Sequence, residues 1–204
     1  MSQIVLPLHA RPGAPSRIVV GNANRAAIDA LGAVESWPFR TAILFGPPRS
    51  GKSLIARWFA ENDLGEAIDD ADRLDETGLF HRWNRAQESG TALLLTVTSA
   101  QGEWTIALPD LASRMGAALH LQIGTPDEAM LGELILLHAE QRGLALGPDA
   151  TAYLVPRTER SHIGVERLVA AIDRISLERK APPTQGIWRE ALDEVLGQGA
   201  PRLL

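Results

Sequence analysis

The chain has 204 residues, which is enough for one domain of ordinary size followed by a small second one. Twenty Lys and Arg residues against 25 Asp and Glu residues leave a net charge of −5. The sequence therefore lacks the basic excess on which autonomous, non-specific DNA binding depends. It contains no cysteine, which excludes disulfide frameworks, cysteine-ligated metal centres and thiol nucleophiles.

Apolar residues nowhere form a run long enough for a signal-peptide core or for a membrane span of about 20 residues. Hydrophobic residues make up 45% and charged residues 22% of the chain, which are values typical of folded globular proteins. We therefore expect a folded cytoplasmic protein without a membrane partner.

Residues 1–16 are expected to form an extended leader that precedes the fold, because they contain Pro7, Pro12 and Pro15. Residues 17–20 are rich in β-branched side chains and predict a short strand. A turn follows at residues 21–24 and a short Ala-rich helix at residues 25–31.

The next hundred residues alternate between predicted strands and helices. Residues 41–45 form a continuous apolar run before Gly46, as expected for a strand buried on both faces of a parallel sheet. A helix is predicted from about Lys52, and further elements are a short strand ending at 67–70, a helix at 75–88, and strands at 92–99 and 119–123. This alternation predicts an α/β domain over residues 17–124.

Downstream of Gly124 the pattern becomes helical. Thr125 is the predicted cap of a helix with Pro126 in its first turn and Glu128 three residues after the cap. Apolar residues recur at helical spacing over 165–172, and a last amphipathic helix is predicted over 188–196. Residues 125–204 are therefore expected to form a small α-helical lid domain.

A phosphate-binding loop lies between the strand at 41–45 and the helix that follows it. The segment matches the pattern G-x-x-x-x-G-K-[ST] in full, and it consists of Gly46, Pro47, Pro48, Arg49, Ser50, Gly51, Lys52 and Ser53, with Leu54 next. Backbone amides of such a loop surround phosphates, its lysine reaches the β- and γ-phosphates and its hydroxyl holds Mg²⁺. The motif predicts a bound ADP or ATP with Mg²⁺.

Acidic residues at the tip of a neighbouring strand hold the metal's water shell in enzymes of this kind. Asp69 and Asp70 are the candidates: Asp69 for Mg²⁺ and Asp70 for catalysis. The alternative is that they form, with Asp72, a solvated cluster that caps a helix. At the end of the 92–99 strand, Thr98 or Ser99 could place a hydroxyl near the γ-phosphate.

Two further segments resemble the DnaA/Hda family, the AAA+ modules of the bacterial replication initiator DnaA and of its regulator Hda. Residues 19–27 are similar to the family's opening block, and residues 108–114 to its arginine-finger segment. The resemblance implies that the first block lies beside the adenine and that Arg114 stabilises charge on ATP held by a neighbouring subunit. The alternative for Arg114 is a surface role at a helix C-terminus. The implied adenine-side residues are Val20, Gly21 and Asn22.

The leader resembles the short Q-x-x-L-x-L peptide that bacterial proteins insert into the sliding clamp of DNA polymerase III. Gln3 would be its polar handle, and Leu6 and Leu8 its pocket anchors. The alternative is an edge strand or a tail. The resemblance implies a regulator that binds the clamp and DnaA, promotes hydrolysis of DnaA-bound ATP and does not read DNA sequence. It also implies a head-to-tail AAA+ contact, either with DnaA or with a second copy of this chain.

The sequence also departs from the family pattern. Sixteen residues separate Lys52 from Asp69, which is too few for the strand and helix that a full initiator module has there. We therefore expect a shortened sheet and weak or absent ATPase activity of the chain itself. Glu166 stands where the resemblance places the sensor-2 arginine, so the neighbouring Arg167 is the candidate, with Arg160 as another.

Three functional hypotheses remain from the sequence. The first is the trans-acting activator of ATP hydrolysis on DnaA. The second is an adaptor for the clamp or DnaA in which ADP is structural and Arg114 has no chemical role. The third is an independent P-loop ATPase or kinase that uses Lys52 and Asp70 on its own substrate.

Overall fold

The computed structural model describes residues 4–7 and 17–199. Strands β1 to β6 span Ile4–Pro7, Arg17–Val20, Thr41–Phe45, Glu66–Ile68, Leu93–Thr96 and Leu119–Gln122. Helices α1 to α8 span Arg25–Leu31, Lys52–Glu61, Glu76–Ser89, Pro109–Ala117, Glu128–Gln141, Pro148–Leu154, His162–Arg179 and Gln185–Gly199. Within this part of the chain, no helix is both long and apolar enough to cross a bilayer.

A parallel sheet of four strands lies at the centre of the fold, in the order β4-β5-β3-β6. Helices separate these strands along the chain, so the predicted α/β class is confirmed. Only α2 lies between β3 and β4, in keeping with the expected shortening of this region. The carboxyl ends of β3, β4 and β5 meet at one edge, where the phosphate-binding loop, Asp69 and Thr98 follow them.

The sheet is covered on both faces, and its side chains alternate between two apolar clusters. Ala42 and Leu44 of β3 join a cluster that includes Phe59 of α2, whereas Ile43 and Phe45 join a second cluster. That second cluster contains side chains of α3 and α4: Leu79, Trp83, Ala86, Leu111 and Met115. A strand buried on both faces explains why residues 41–45 are uniformly apolar.

The first cluster continues from the sheet into the C-terminal helices. It includes Leu131 and Ile135 of α5 and Leu168 and Ile172 of α7, all fully or nearly fully buried. The same cluster holds Phe59 below the sheet, so one apolar core joins the two predicted domains. The boundary at residue 124 stays a prediction.

Residues 4–7 differ from the expected extended leader. Residues 1–16 were expected to precede the fold, yet β1 pairs antiparallel with β2, with Leu6 opposite Ile18. The β-branched side chains of both segments favour this pairing, although Pro7 lies at the end of β1. Gln3 and Leu8 lie outside the described residues.

The N-cap of helix α5 lies two residues after the predicted one. Asp127, not Thr125, is its N-cap, and the Asp127 carboxylate accepts a hydrogen bond of 2.8 Å from the backbone N–H of Met130. Thr125 and Pro126 therefore precede the helix rather than start it. An aspartate accepts this bond more strongly than a threonine hydroxyl, because its charge also favours the helix N-terminus.

Gly65 joins α2 to β4 at a close approach of two backbones. A Cβ atom there would lie 2.3 Å from the carbonyl oxygen of Ala92 and 2.9 Å from the ring of Phe59. We expect Gly65→Ala to lower the free energy of unfolding by about 2–3 kcal/mol, measured by urea denaturation. Gly116→Ala in α4 is the control, because nothing lies within 4 Å of its added methyl group. Equal stabilities of the two variants would contradict this expectation.

Candidate functional site

The phosphate-binding loop turns sharply between β3 and α2. Arg49 has φ of 64° and Gly51 has φ of 91°, so both lie in the left-handed region. Gly46 is needed for a different reason, because a Cβ there would lie 2.9 Å from the Ile123 side chain and 3.0 Å from Ser50 Oγ. The loop thus requires the two glycines of the motif, one for conformation and one for space.

Lys52 is the first residue of α2, and it is buried. Its Nζ donates to the carbonyl oxygens of Gly46 at 2.8 Å and Pro47 at 3.1 Å. Burial lowers the pKa of Lys52, while the nearby carboxylates of Asp70 and Asp69 act in the opposite direction. The ammonium group is therefore held against the loop that it is predicted to serve.

The loop borders a cavity of about 540 Å³ that is lined both by residues of the sheet region and by residues of the C-terminal helices. Its lining from the loop and α2 is Pro48, Arg49, Ser50, Gly51, Lys52, Ser53 and Leu54. Its remaining lining is Asp70, Thr98, His138, Gln141, Arg142 and Glu166. Helix α2 points its N-terminus, the positive end of its dipole, at this cavity.

The residues present fit a nucleotide phosphate with Mg²⁺. Ser50 Oγ is buried in the loop and has no hydrogen-bond partner among the described residues, so it is available to a phosphate oxygen. Lys52 and Arg49 supply positive charge on the cavity wall, and Ser53 supplies an exposed hydroxyl at the helix N-terminus. Phosphate oxygens suit these donors, and the Ser53 hydroxyl suits Mg²⁺.

Asp69 and Asp70, the two predicted acidic residues, have different positions relative to the cavity. Asp69 accepts a hydrogen bond from Thr96 Oγ1 and is not part of the cavity wall. Asp70 does line the cavity, and its backbone N–H donates to the same Thr96 hydroxyl at 3.0 Å. The structure therefore brings Asp70, rather than Asp69, to the loop.

Asp72 is a further functional candidate. The sequence predicts it only as a member of a solvated acidic cluster. Its carboxylate accepts from Thr98 Oγ1 at 2.7 Å, from Ser99 Oγ at 2.6 Å and from both backbone N–H groups. Burial alone raises the pKa of Asp72, but these hydrogen bonds from Ser99 and Thr98 outweigh it and lower the pKa to about 2. Asp72 thus fixes the chain after β5, and the Ser99 hydroxyl is occupied there.

The C-terminal helices contribute different side chains from those predicted. Glu166 of α7 lines the cavity, whereas Arg167 is exposed and does not. Arg160 pairs with Glu128 on α5 instead. His138 and Arg142, which line the cavity from α5 and the residue after it, were missed, because nothing in their local pattern distinguishes them from other helix residues.

The opening block makes structural contacts. Val20 and Gly21 are buried, and a Cβ at Gly21 would lie 2.9 Å from the Met130 side chain. Asn22 accepts from the backbone N–H of Asp127 at 3.0 Å and thus ties this block to the start of α5. None of Val20, Gly21 and Asn22 lines the cavity that the loop borders, and their adenine-side role stays a prediction.

Arg114 lies in the last turn of α4, half-buried against α3. Its guanidinium carbon is 4.1 Å from the ring centroid of Trp83 and 4.7 Å from that of Phe80. One Nη donates to Asn84 Oδ1 at 3.0 Å. The guanidinium is therefore held in place by its own chain through cation–π contacts.

The sequence matches no protein-family model, but solved structures share its fold. Domain III of the Thermotoga maritima replication initiation protein DnaA has a TM-score of 0.71 at 16% identity, covering 87% of this chain and 94% of that one. The chain has an AAA+ fold. The Thermotoga maritima RuvB Holliday junction branch migration motor gives a TM-score of 0.60 at 20% identity, covering 86% of this chain and 68% of that one.

AMPPCP-bound DnaA from Aquifex aeolicus is similar at a TM-score of 0.62 and 14% identity, covering 85% of this chain and 66% of that one. This chain thus spans about two thirds of that longer one. At such identities the similarity establishes the architecture alone. The regulator Hda is not singled out by these comparisons.

Two histidines near the site predict a pH-dependent stability. Burial lowers the pKa of His162, whose Nε2 has no hydrogen-bond partner in the described part of the chain, and burial also lowers the pKa of His138. Because the folded state binds these protons less readily than the unfolded state, stability is lost as the pH falls below about 6.5.

We expect the melting temperature to fall between about pH 7.5 and pH 5.5. The fall should be about 2–4 °C for each kcal/mol by which the free energy of unfolding decreases. The decrease should be smaller in His162→Gln, which cannot gain the proton. His81→Gln is the control, because His81 is exposed. The same pH dependence in both variants would contradict the role given to His162.

Proposed function

We propose that this chain is a nucleotide-binding AAA+ regulator that holds ADP or ATP with Mg²⁺ at the phosphate-binding loop. The observation that carries the proposal is the position of buried Lys52 at the N-terminus of α2, beside a cavity lined by residues 48–53 of the loop. Mg²⁺ would supply charge neutralisation there when bound. Lys52 and Ser50 would bind phosphate oxygens, Ser53 would hold the metal, and Asp70 would orient its water shell.

Calorimetric titration with ADP and with ATP, each with Mg²⁺, tests this step. A saturable isotherm with one site per chain is expected. Heat that never exceeds the heat of dilution for either nucleotide would overturn the proposal.

We further propose that the nucleotide-bound chain acts on DnaA and promotes hydrolysis of the ATP that DnaA holds. The likeness of the fold to DnaA domain III supports a head-to-tail contact between the two modules. Arg114, on α4 and held against α3 by its aromatic contacts, would face the partner's nucleotide. The test is hydrolysis of ATP pre-bound to DnaA, with the clamp loaded on DNA, in the presence and absence of this protein.

The N-terminal motif would deliver the chain to the clamp. Because β1 already pairs with β2, recognition requires that the segment leave this pairing or bind through its free edge. We expect the combined substitution of Leu6 and Leu8 by Ala to weaken clamp binding by at least about tenfold, measured by surface plasmon resonance. Val5→Ala in the same strand is the control and should retain binding. Equal clamp affinity of both variants would exclude the motif.

An independent ATPase is the second candidate, and the position of Asp70 on the cavity wall favours it. It predicts turnover of ATP without any partner, lost in both Lys52→Ala and Asp70→Asn. The adaptor hypothesis predicts the opposite, with bound ADP, no turnover and no effect of Arg114→Ala on DnaA.

A further inference from the structure

An ion pair joins the phosphate-binding loop directly to α7. The Nε and one Nη of Arg49 donate to the two carboxylate oxygens of Glu166, so the contact is bidentate. The partners are 117 positions apart in the sequence, and both line the cavity. Among the described ion pairs, it is the one that connects the loop to a C-terminal helix.

Both partners are charged and accessible from the cavity. The hydrogen bond from Arg49 lowers the pKa of Glu166, so the carboxylate is ionised at neutral pH. The side chain of Arg49 is 62% exposed and that of Glu166 is 21% exposed. Lys52 and Ser53 line the same cavity. An anion that enters to reach Lys52 therefore meets Arg49 and Glu166 as well.

A guanidinium group recognises a carboxylate and a phosphate through the same pair of parallel N–H bonds. The Glu166 carboxylate thus occupies the donors of Arg49 that a phosphate group would use. Its own negative charge also opposes a phosphate in the cavity. Because an exposed ion pair contributes little to stability, the phosphates of a nucleotide can displace it.

We propose that Glu166 is an intramolecular competitor of the nucleotide: its carboxylate holds Arg49 in the nucleotide-free protein and releases it to a phosphate group when nucleotide binds. Arg49 then becomes a phosphate ligand of the loop, and the contact between the loop and α7 opens. The proposal rests on the nucleotide binding proposed above. It assigns α7 a role in setting nucleotide affinity through a carboxylate rather than through a cation.

The test is calorimetric titration of ADP with Mg²⁺ into the wild type and into Glu166→Gln. The amide keeps the size of the side chain and removes its charge, so Glu166→Gln should bind ADP at least about fivefold more tightly. Glu178→Gln is the matched control, because Glu178 pairs with Arg174 on the same helix and does not line the cavity. Its ADP affinity should equal that of the wild type.

Arg49→Ala adds a second readout. If Arg49 passes from Glu166 to phosphate, its removal should weaken ADP binding more in the Glu166→Gln background than in the wild type, since only in the former is the guanidinium free beforehand. A purely structural pair predicts equal or lower ADP affinity in Glu166→Gln together with a lower melting temperature, which would overturn the proposal.

The outcomes separate the two proposals. Wild-type binding that is lost in Lys52→Ala but unchanged in Glu166→Gln retains the nucleotide site and overturns the competition. Absence of ADP binding in the wild type and in every variant overturns the nucleotide site, and the competition with it.

Discussion

Replacement of Lys52 by Ala is expected to lower the affinity for ADP and ATP by at least about 100-fold. Lys52 is one of the two cations of the loop, and its ammonium is buried against the backbone that would surround the phosphates. Loss of a desolvated charge that faces phosphate oxygens costs more than loss of an exposed one. Calorimetric titration measures the change directly.

The folded state should survive this substitution. Alanine is a good helix former at the first turn of α2, and the two hydrogen bonds of Lys52 end on the carbonyls of Gly46 and Pro47, which line a neighbouring cavity where water can replace the ammonium. The variant should therefore keep a cooperative unfolding transition close to that of the wild type. Unchanged nucleotide affinity with a normal melting temperature would remove the role assigned to the loop.

The lysine content of the chain offers an independent check. Lys52 and Lys180 are its two lysines, so an amine-directed acylating reagent has two side-chain targets. Bound ADP should protect Lys52 from acylation, while Lys180, at the end of α7 and outside the cavity, reports the intrinsic reaction rate. Equal acylation of Lys52 with and without ADP would contradict its contact with the nucleotide.

The sequence predicted the parts of this fold that depend on local pattern. An apolar run of strand length is followed by Gly46 and then by Lys52. The strand pattern and the turn residues therefore lie within about a dozen positions of one another. The alternation of the β3 side chains between two apolar clusters follows from that pattern, because both faces of the strand are buried. The loop and the α/β class were predictable for this reason.

Contacts between distant residues were not predictable in the same way. Asp72 meets Thr98 and Ser99 because two adjacent strands end at one edge of the sheet, which no local spacing records. The pairing of Arg49 with Glu166 depends on how α7 crosses the loop. The helix register does place Glu166 at the position of the sensor-2 arginine. Because a carboxylate has the opposite charge, the prediction fell on Arg167 instead.

Arg114→Ala is expected to reduce the stimulation of hydrolysis of DnaA-bound ATP by at least about 100-fold, the scale of effect for an arginine supplied to developing phosphoryl charge. Nucleotide binding by the chain itself should persist, because Arg114 lies on α4, outside the cavity bordered by the loop. Single-turnover hydrolysis of ATP pre-bound to DnaA, with clamp on DNA, measures the effect.

The contacts of Arg114 set the controls for this experiment. Loss of its cation–π contacts with Trp83 and Phe80 should cost about 0.5–1 kcal/mol of stability, so the melting temperature is measured in parallel. Arg85→Ala on α3 removes an exposed arginine near the same surface and should stimulate as the wild type does. Asn84→Ala removes the one hydrogen bond that orients the guanidinium, and it should give an intermediate rate if placement of the charge matters. Full stimulation by a folded Arg114→Ala protein would assign Arg114 to packing between α3 and α4, and would leave the adaptor or the independent ATPase as the function.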